Sequence, residues 1–152
     1  MQSATATTYR ERLVPGIGLF AAVLLVAPAV AMVLMPIAIS ASIPAGIIAY
    51  LLVALFLFAT SPSISVADGQ LHAGRAHISL DQLGEIELLG ADALRSALGT
   101  ELDARSYLVV RGWIHRGVRI KNIDPADPAP YWILTSRRPQ ALADAIEAAR
   151  RA

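Results

Sequence analysis

The residues best suited to do chemistry lie near the C-terminal end of the chain, in the stretch DPADPAPYWILTSRRP. Asp124 and Asp127 are a pair of carboxylates of the kind that a hydrolase or a metal site uses, and Tyr131 follows as a candidate acid. Arg137 and Arg138 end the stretch. The stretch is therefore an active site, a binding loop, or a connection that its own side chains hold together.

A bracing role for the two aspartates is favoured by the prolines that follow them. Aspartate before proline commonly starts a turn and caps nearby amides, and each proline restricts the preceding residue to extended backbone. We therefore expect Asp124 and Asp127 to brace the loop, together with Pro128 and Tyr131, or to pair with one of the two arginines. The competing hypothesis is a membrane-bound enzyme that uses both aspartates.

Basic and aromatic residues form the candidate binding set. Arg119 and Lys121 share one strand face with His115, and beside an anionic membrane each basic group adds about 1 kcal/mol of attraction. The alternative is an ordinary solvated face. Tyr131 and Trp132 point to opposite faces of their strand, so one should enter the core while the other meets the membrane interface or a ligand. The full set is Arg119, Lys121, Trp132, Arg137 and Arg138.

The sequence predicts no metal site and no cofactor. His72, His77 and His115 are expected to be solvent-facing strand residues, since metal ligands need a shared face with matching carboxylates. The motifs of zinc proteases, serine hydrolases and P-loop proteins are absent, and the chain has no cysteine.

A net charge of +1 and the lack of aromatic residues among the bases argue against a nucleic-acid partner. We therefore expect a protein that is not an enzyme.

The elements that position these residues follow a long apolar segment. No charged residue lies between Arg12 and Asp68, and a spanning helix needs roughly 20 apolar residues. We predict a hairpin of two transmembrane helices in residues 14–60, at about 16–35 and 44–60. Pro28 should kink the first helix, Pro36 end it and Pro44 lie in the first turn of the second, although that helix could start near Ser40.

Flanking arginines predict the orientation of the hairpin. Arg10 and Arg12 precede the first helix and Arg75 follows the second, so both termini should be cytoplasmic, in the inner (plasma) membrane. Residues 1–13 would be an N-terminal cytoplasmic tail, disordered over its first eight residues, and residues 61–152 a cytoplasmic domain. A signal peptide cleaved after Ala31 is the alternative, but the chain stays apolar beyond that point.

The C-terminal domain is predicted to contain about seven antiparallel strands in a meander. Asp68-Gly69 forms a two-residue hairpin turn, and other strands are expected at 76–80, 84–89, 106–110, 114–123 and 131–136. Pro139 begins a closing helix that buries Leu142 and Ile146. This order is that of a pleckstrin-homology-like (PH-like) β-barrel closed by a C-terminal helix, giving an α+β membrane protein. The acids of 81–103 and the bases of 105–121 predict a charge dipole.

Several motifs resemble an actinobacterial family of membrane proteins, domain of unknown function 3093 (DUF3093). They are YRERL at residues 9–13, Asp68-Gly69, LxAGRA at 71–76, GxELD at 99–103, DPADPxPYW at 124–132 and SRRP at 136–139. The resemblance implies an integral membrane protein and supplies no catalytic residues.

Together these features predict a membrane protein whose PH-like domain is a binding or scaffolding module at the inner leaflet. Its expected partners are anionic membrane lipid and, in addition, a protein partner or a second copy of the chain. The alternatives are the enzyme that uses Asp124 and Asp127, and an accessory subunit of a membrane complex.

Overall fold

The computed structural model describes residues 9–151 of the chain. These residues form two compact units, one of residues 14–61 and one that joins the chain up to Leu13 to the chain from Pro62 onward. The predicted disorder of the first eight residues lies outside the described residues.

The helical unit begins with two consecutive helices, α1 (Ile17–Val23) and α2 (Val26–Leu34). The break at Leu24 and Leu25 lies one turn before Pro28, because a proline ring clashes with the carbonyl four residues earlier and Pro28 has no amide to bond it. The kink expected from Pro28 is therefore present.

The third helix, α3 (Ile39–Ala59), starts where the alternative reading placed it, near Ser40. Pro44 consequently lies inside the helix and not in its first turn, so that expectation was wrong. Gly46 is buried, and a side chain there would overlap the carbonyl oxygen of Ala27 in α2. The backbones of α2 and α3 therefore approach closely at this point.

The first sheet of the other unit contains the predicted hairpin. Asp68 and Gly69 both have left-handed backbone, with φ of 51° and 70°, as a tight hairpin turn of this hand requires. Neighbouring strands are antiparallel, in the order β1-β2-β3-β4: β1 (Tyr9–Arg12), β2 (Ser63–Ala67), β3 (Gln70–Ala73) and β4 (Ala76–Ser79).

Strand β1 lies in the segment that we predicted to be a tail. Tyr9 pairs with Val66 and Arg12 with Ser63, and the Leu13 amide donates a hydrogen bond to the Pro62 carbonyl at 2.9 Å. Tyr9 and Leu13 are buried while the arginines are exposed, which is the alternation of a half-buried strand. The apolar helices are thus inserted between two paired strands of one sheet.

The second sheet is not the antiparallel meander that we predicted. Its order is β5-β7-β8-β6, and β6 runs parallel to β8. Helix α4 (Ala91–Leu98) packs against the sheet through Leu94 and Ala97. The chain then re-enters the sheet as β6, at the edge opposite β5. The two sheets stay separate, so the barrel is not closed. The strands are β5 (Leu83–Leu89), β6 (Tyr107–Val109), β7 (Gly117–Asn122) and β8 (Tyr131–Thr135).

Helix α5 (Pro139–Arg151) completes one core shared by both sheets. Leu142 and Ile146 are fully buried, as predicted from their spacing. At the other end of the helix the Arg150 guanidinium donates to the carbonyls of Leu80 at 3.1 Å, Leu83, and Gly84 at 3.0 Å. Apolar packing and this arginine together hold α5 to the chain that connects the two sheets.

Candidate functional site

The loop between β7 and β8 is braced by its two aspartates. Asp124 accepts a hydrogen bond from the Ala126 amide at 2.8 Å, and Asp127 accepts one from the Ala129 amide at 2.9 Å. The Asn122 side chain donates to the other Asp127 oxygen at 2.8 Å and accepts from the Asp124 amide at 2.9 Å. The bracing role expected for these carboxylates agrees with this geometry.

The expected pairing of these aspartates with Arg137 or Arg138 was wrong. Within residues 9–151 no ion pair involves Asp124 or Asp127. The loop precedes β8 and the arginines follow it, so the length of the strand, about 3.3 Å per residue, separates them. Pro128 lies in the loop, as expected from the motif.

The most tightly organised polar cluster surrounds Glu11, which the sequence reasoning did not single out. The Glu11 carboxylate is buried and accepts hydrogen bonds from the Tyr9 hydroxyl at 2.7 Å, the Ser136 hydroxyl at 2.5 Å and the Arg137 amide at 2.9 Å. The Ser136 Oγ in turn accepts from the Arg138 amide at 3.0 Å. This cluster joins β1 to the start of α5.

Tyr9 is the titratable group of the cluster whose pKa is clearly shifted. Burial, together with the hydrogen bond to Glu11 and its negative charge, raises the pKa of Tyr9 to about 12 against the lowering effect of Ser136 and Arg138. The guanidinium carbon of Arg138 lies 5.6 Å from the centre of the Tyr9 ring, a cation–π distance. Tyr9 is therefore a neutral donor to Glu11 at physiological pH.

Arg119 and Lys121 line a shallow groove of about 190 Å³ on the second sheet, together with Glu85, Glu87 and Tyr131. Arg119 makes ion pairs with Glu87 at 2.6 Å and Glu101 at 3.1 Å, and these carboxylates raise its pKa. It also lies 5.6 Å from the Tyr131 ring. The acids neutralise this groove, so it is a poor site for anionic headgroups.

Of the two neighbouring aromatics, Trp132 enters the core and Tyr131 is exposed. Trp132 is 3% exposed and its ring lies 4.5 Å from that of Tyr107. Its indole nitrogen has no hydrogen-bond partner among the described residues. Trp132 is therefore a core residue, and its place in the candidate binding set is not supported by its position.

The histidines do not assemble a metal centre. His72 and His77 face each other across β3 and β4 with ring centres 5.6 Å apart, whereas His115 is exposed in the loop before β7 and does not share the β7 face with Arg119. No group of three or more potential metal ligands occurs among residues 9–151.

Ion pairs reduce the predicted charge dipole in part, because some members of the acidic and basic runs pair with each other. Asp92 pairs with Arg95, and Glu87 and Glu101 with Arg119. Asp103 pairs with Arg105, whose hydrogen bonds lower the pKa of Asp103 to about 2.

Six other arginines lie at the strand ends of the unit that contains the two sheets, which we call the soluble unit for its ordinary polarity: two beside Leu13 and Pro62, and four around the end of β8. We call this region the arginine end. Arg12 ends β1, and Arg75 follows Gly74, whose amide binds the Ser63 carbonyl. The other four surround the end of β8, through hydrogen bonds of their own backbones with Thr135, Ser136 and Glu11. They are Arg111, Arg116, Arg137 and Arg138.

The profile of a family described as protein of unknown function (DUF3093) matches residues 8–146. The chain belongs to the DUF3093 family. The resemblance inferred from its motifs is thereby confirmed. Comparisons with curated proteins and with solved structures give no significant match. Two motifs of this DUF3093 protein, YRERL and SRRP, stand near opposite ends of the chain and meet in the Glu11 cluster.

Proposed function

We propose that this DUF3093 protein is an integral membrane protein whose soluble unit is a binding module at the cytoplasmic face of the plasma membrane. The observation that carries the proposal is the insertion of the apolar helices between β1 and β2. The chain leaves the sheet at Leu13 and returns at Pro62, and these two residues are hydrogen-bonded neighbours.

Two segments, Ile17–Leu34 and Ile39–Ala59, are long and apolar enough to cross a membrane, with mean hydropathies of 2.7 and 2.3. Little of either segment is buried within the protein, which distinguishes them from the core helices of a soluble protein. Large apolar side chains such as Ile17 and Leu25 are more than half exposed. A hydrocarbon environment accommodates such surfaces.

A cleavable signal peptide fits the structure poorly. Cleavage after Ala31 would remove β1 with Tyr9, Glu11 and Leu13, all of which are buried. The sheet would lose an edge strand and Ser136 would lose its carboxylate partner. An uncleaved hairpin keeps these contacts.

The orientation of the module follows from the same insertion. Because β1 and β2 are paired, the segments before and after the two helices lie on one side of a membrane that the helices cross. Arg10, Arg12 and Arg75 belong to this side, which the positive-inside bias assigns to the cytoplasm.

Binding is favoured over catalysis because the candidate catalytic carboxylates are engaged. Asp124 and Asp127 accept hydrogen bonds that hold their own loop. Two sheets with a C-terminal helix on their shared core support a distant PH-like arrangement with an inserted hairpin, whereas the parallel pair of β6 and β8 departs from it. Substituting both aspartates by asparagine should lower the thermal unfolding midpoint; an unchanged midpoint with a lost cellular function would favour the enzyme.

The natural absence of cysteine allows a direct test of the orientation. Single cysteines replace His77, exposed in β4, and Ile37, exposed between α2 and α3. In intact cells a membrane-impermeant maleimide should label Ile37→Cys only, and permeabilised cells should show both labels. Labelling of His77→Cys from outside would overturn the orientation, and recovery of the protein in the soluble fraction would overturn the membrane assignment.

A further inference from the structure

We propose that the arginine end of the soluble unit binds the phosphate groups of anionic lipid headgroups. The inference rests on the proposed function, because it requires the apolar helices to lie in a membrane. It names the ligand class and replaces the predicted site at Arg119 and Lys121, where the neighbouring acids neutralise the charge.

The positions of the six arginines support this proposal. The six arginines come from five separate parts of the chain. Arg12 and Arg75 adjoin the strand ends at Leu13 and Pro62, from which the chain continues into the apolar helices. The other four surround the end of β8, which is hydrogen-bonded to β1 through Glu11. The Tyr107 hydroxyl bonds the Ala73 carbonyl at 2.8 Å and so ties the strand before Arg111 to the turn of Arg75. The fold, rather than a basic run in the sequence, assembles the charge.

The arginine end also has charge available for a ligand. Arg75 and Arg116 are exposed, and no ion pair within residues 9–151 uses either side chain. The nearby carboxylates are occupied: Glu11 is buried under three donors, and Asp92 at the start of α4 pairs with Arg95. Arg75 and Arg116 therefore give the arginine end positive charge that no ion pair among residues 9–151 neutralises.

Guanidinium chemistry is the third argument. An arginine fork binds phosphate oxygens through two parallel hydrogen bonds, and it is less strongly hydrated than an ammonium group. Basic groups beside an anionic leaflet gain affinity by about fivefold each. Arg138 is additionally oriented by the Tyr9 ring below it. Phosphate-bearing anionic lipid is thus the ligand that this end suits best.

The test uses the full chain in lipid nanodiscs made of phosphatidylcholine with increasing fractions of phosphatidylglycerol. Amide hydrogen exchange is followed in the turn at residues 74–75 and in the loop 111–116. We expect slower exchange as phosphatidylglycerol increases, and reversal by high salt.

The decisive variant is Arg75→Gln/Arg116→Gln, because neither side chain makes an ion pair with any of residues 9–151 that its loss would disrupt. Its affinity for phosphatidylglycerol should fall about 25-fold, from about fivefold per arginine, so that half-maximal protection is not reached over the fractions that protect the natural sequence. The matched control, Lys121→Gln/Arg151→Gln, removes the same charge on β7 and at the far end of α5 and should behave as the natural sequence does. Equal thermal midpoints in phosphatidylcholine discs show that both variants fold.

Each other outcome overturns the inference in a distinguishable way. Equal exchange in the two lipids, or equal losses in both variants, would reject the headgroup site and leave the membrane assignment standing. Protection by inorganic phosphate in phosphatidylcholine discs would assign the arginines to a free anion. A chain that does not incorporate into discs would overturn the proposed function and this inference with it.

Discussion

At the scale of single residues, the cluster around Glu11 shows how a buried charge is tolerated. Three donors surround its carboxylate, and charge-assisted hydrogen bonds of this kind offset the loss of hydration. The donors belong to β1 and to the junction of β8 with α5, which are far apart in sequence. A single side chain therefore links the two ends of the soluble unit.

Replacing Glu11 with alanine should destabilise the protein strongly. The substitution leaves the hydroxyls of Tyr9 and Ser136 and the Arg137 amide without their acceptor, at a cost of about 2 to 4 kcal/mol. Chemical unfolding of the full chain in detergent measures the loss. Arg10→Ala, on the exposed face of the same strand, is the control and should change stability by less than about 0.5 kcal/mol. Equal effects of the two substitutions would contradict the role given to Glu11.

Tyr9 should make stability fall in alkaline solution. Its pKa is about 12 in the folded protein against 10.0 ordinarily, so folding favours the protonated ring. This contribution is fully present below pH 10 and is lost as the pH rises toward 12. Tyr9→Phe should lower stability at neutral pH and remove this part of the decline. Thermal midpoints of the natural protein and of Tyr9→Phe across the pH range measure this contribution. The other tyrosines are present in both proteins, so their effect cancels in the difference between the midpoints. Parallel curves would refute the assignment.

At the scale of elements, the helical hairpin depends on small residues where its backbones meet. Ser42 and Gly46 are the buried residues of α3, and the Ser42 hydroxyl bonds the Ile39 carbonyl at 2.8 Å. Gly46 faces the Ala27 carbonyl, next to the break before Pro28. The glycine thus admits the close approach of a carbonyl that lies just after the helix break.

Gly46→Leu should therefore separate α2 from α3. The added side chain overlaps backbone, which cannot rotate away, so we expect destabilisation of about 2 kcal/mol or more. Gly18→Leu is the matched control, because open space surrounds Gly18 in α1. Thermal unfolding in detergent, with cross-linking between cysteines placed in α2 and α3, distinguishes the two. Similar behaviour of both variants would show that the close approach is unimportant.

At the scale of the whole molecule, the segment of apolar helices is an insertion into a domain rather than an addition before it. The Leu13 amide and Pro62 carbonyl are already hydrogen-bonded, so the sheet needs no part of the segment between them to close β1 onto β2. The core is made entirely of residues outside 14–61. A domain interrupted in this way keeps both of its connections to the helices on one side.

Replacing residues 14–61 with a short Asn-Gly turn should yield a soluble, folded domain. Removing residues 1–61 instead should not, since it deletes β1 and the fully buried Leu13 as well as Glu11. We expect that truncation to lower the free energy of unfolding by about 3 kcal/mol or more. Circular dichroism with chemical unfolding compares the two shortened proteins, and equal stability would show that β1 is dispensable.

Local patterns in the sequence determined much of this protein. The charge-free run predicts the apolar helices, Pro28 the kink, Asp68-Gly69 the tight turn, and the spacing of Leu142 and Ile146 the packed face of α5. These are effects of composition, periodicity and near-neighbour sterics, which act within a few residues. The bracing of the loop by Asp124 and Asp127 is of the same kind.

Only the tertiary structure decided the remaining features, because they depend on pairing between distant segments. A four-residue strand next to an apolar run has no distinctive local pattern, and β1 exists only because β2 is there to pair with it. The parallel entry of β6, the burial of Trp132 and the neutralisation of Arg119 by Glu87 and Glu101 likewise follow from which strands become neighbours. The same folding brings arginines from scattered loops around the end of β8 and the two points where the chain joins its apolar helices.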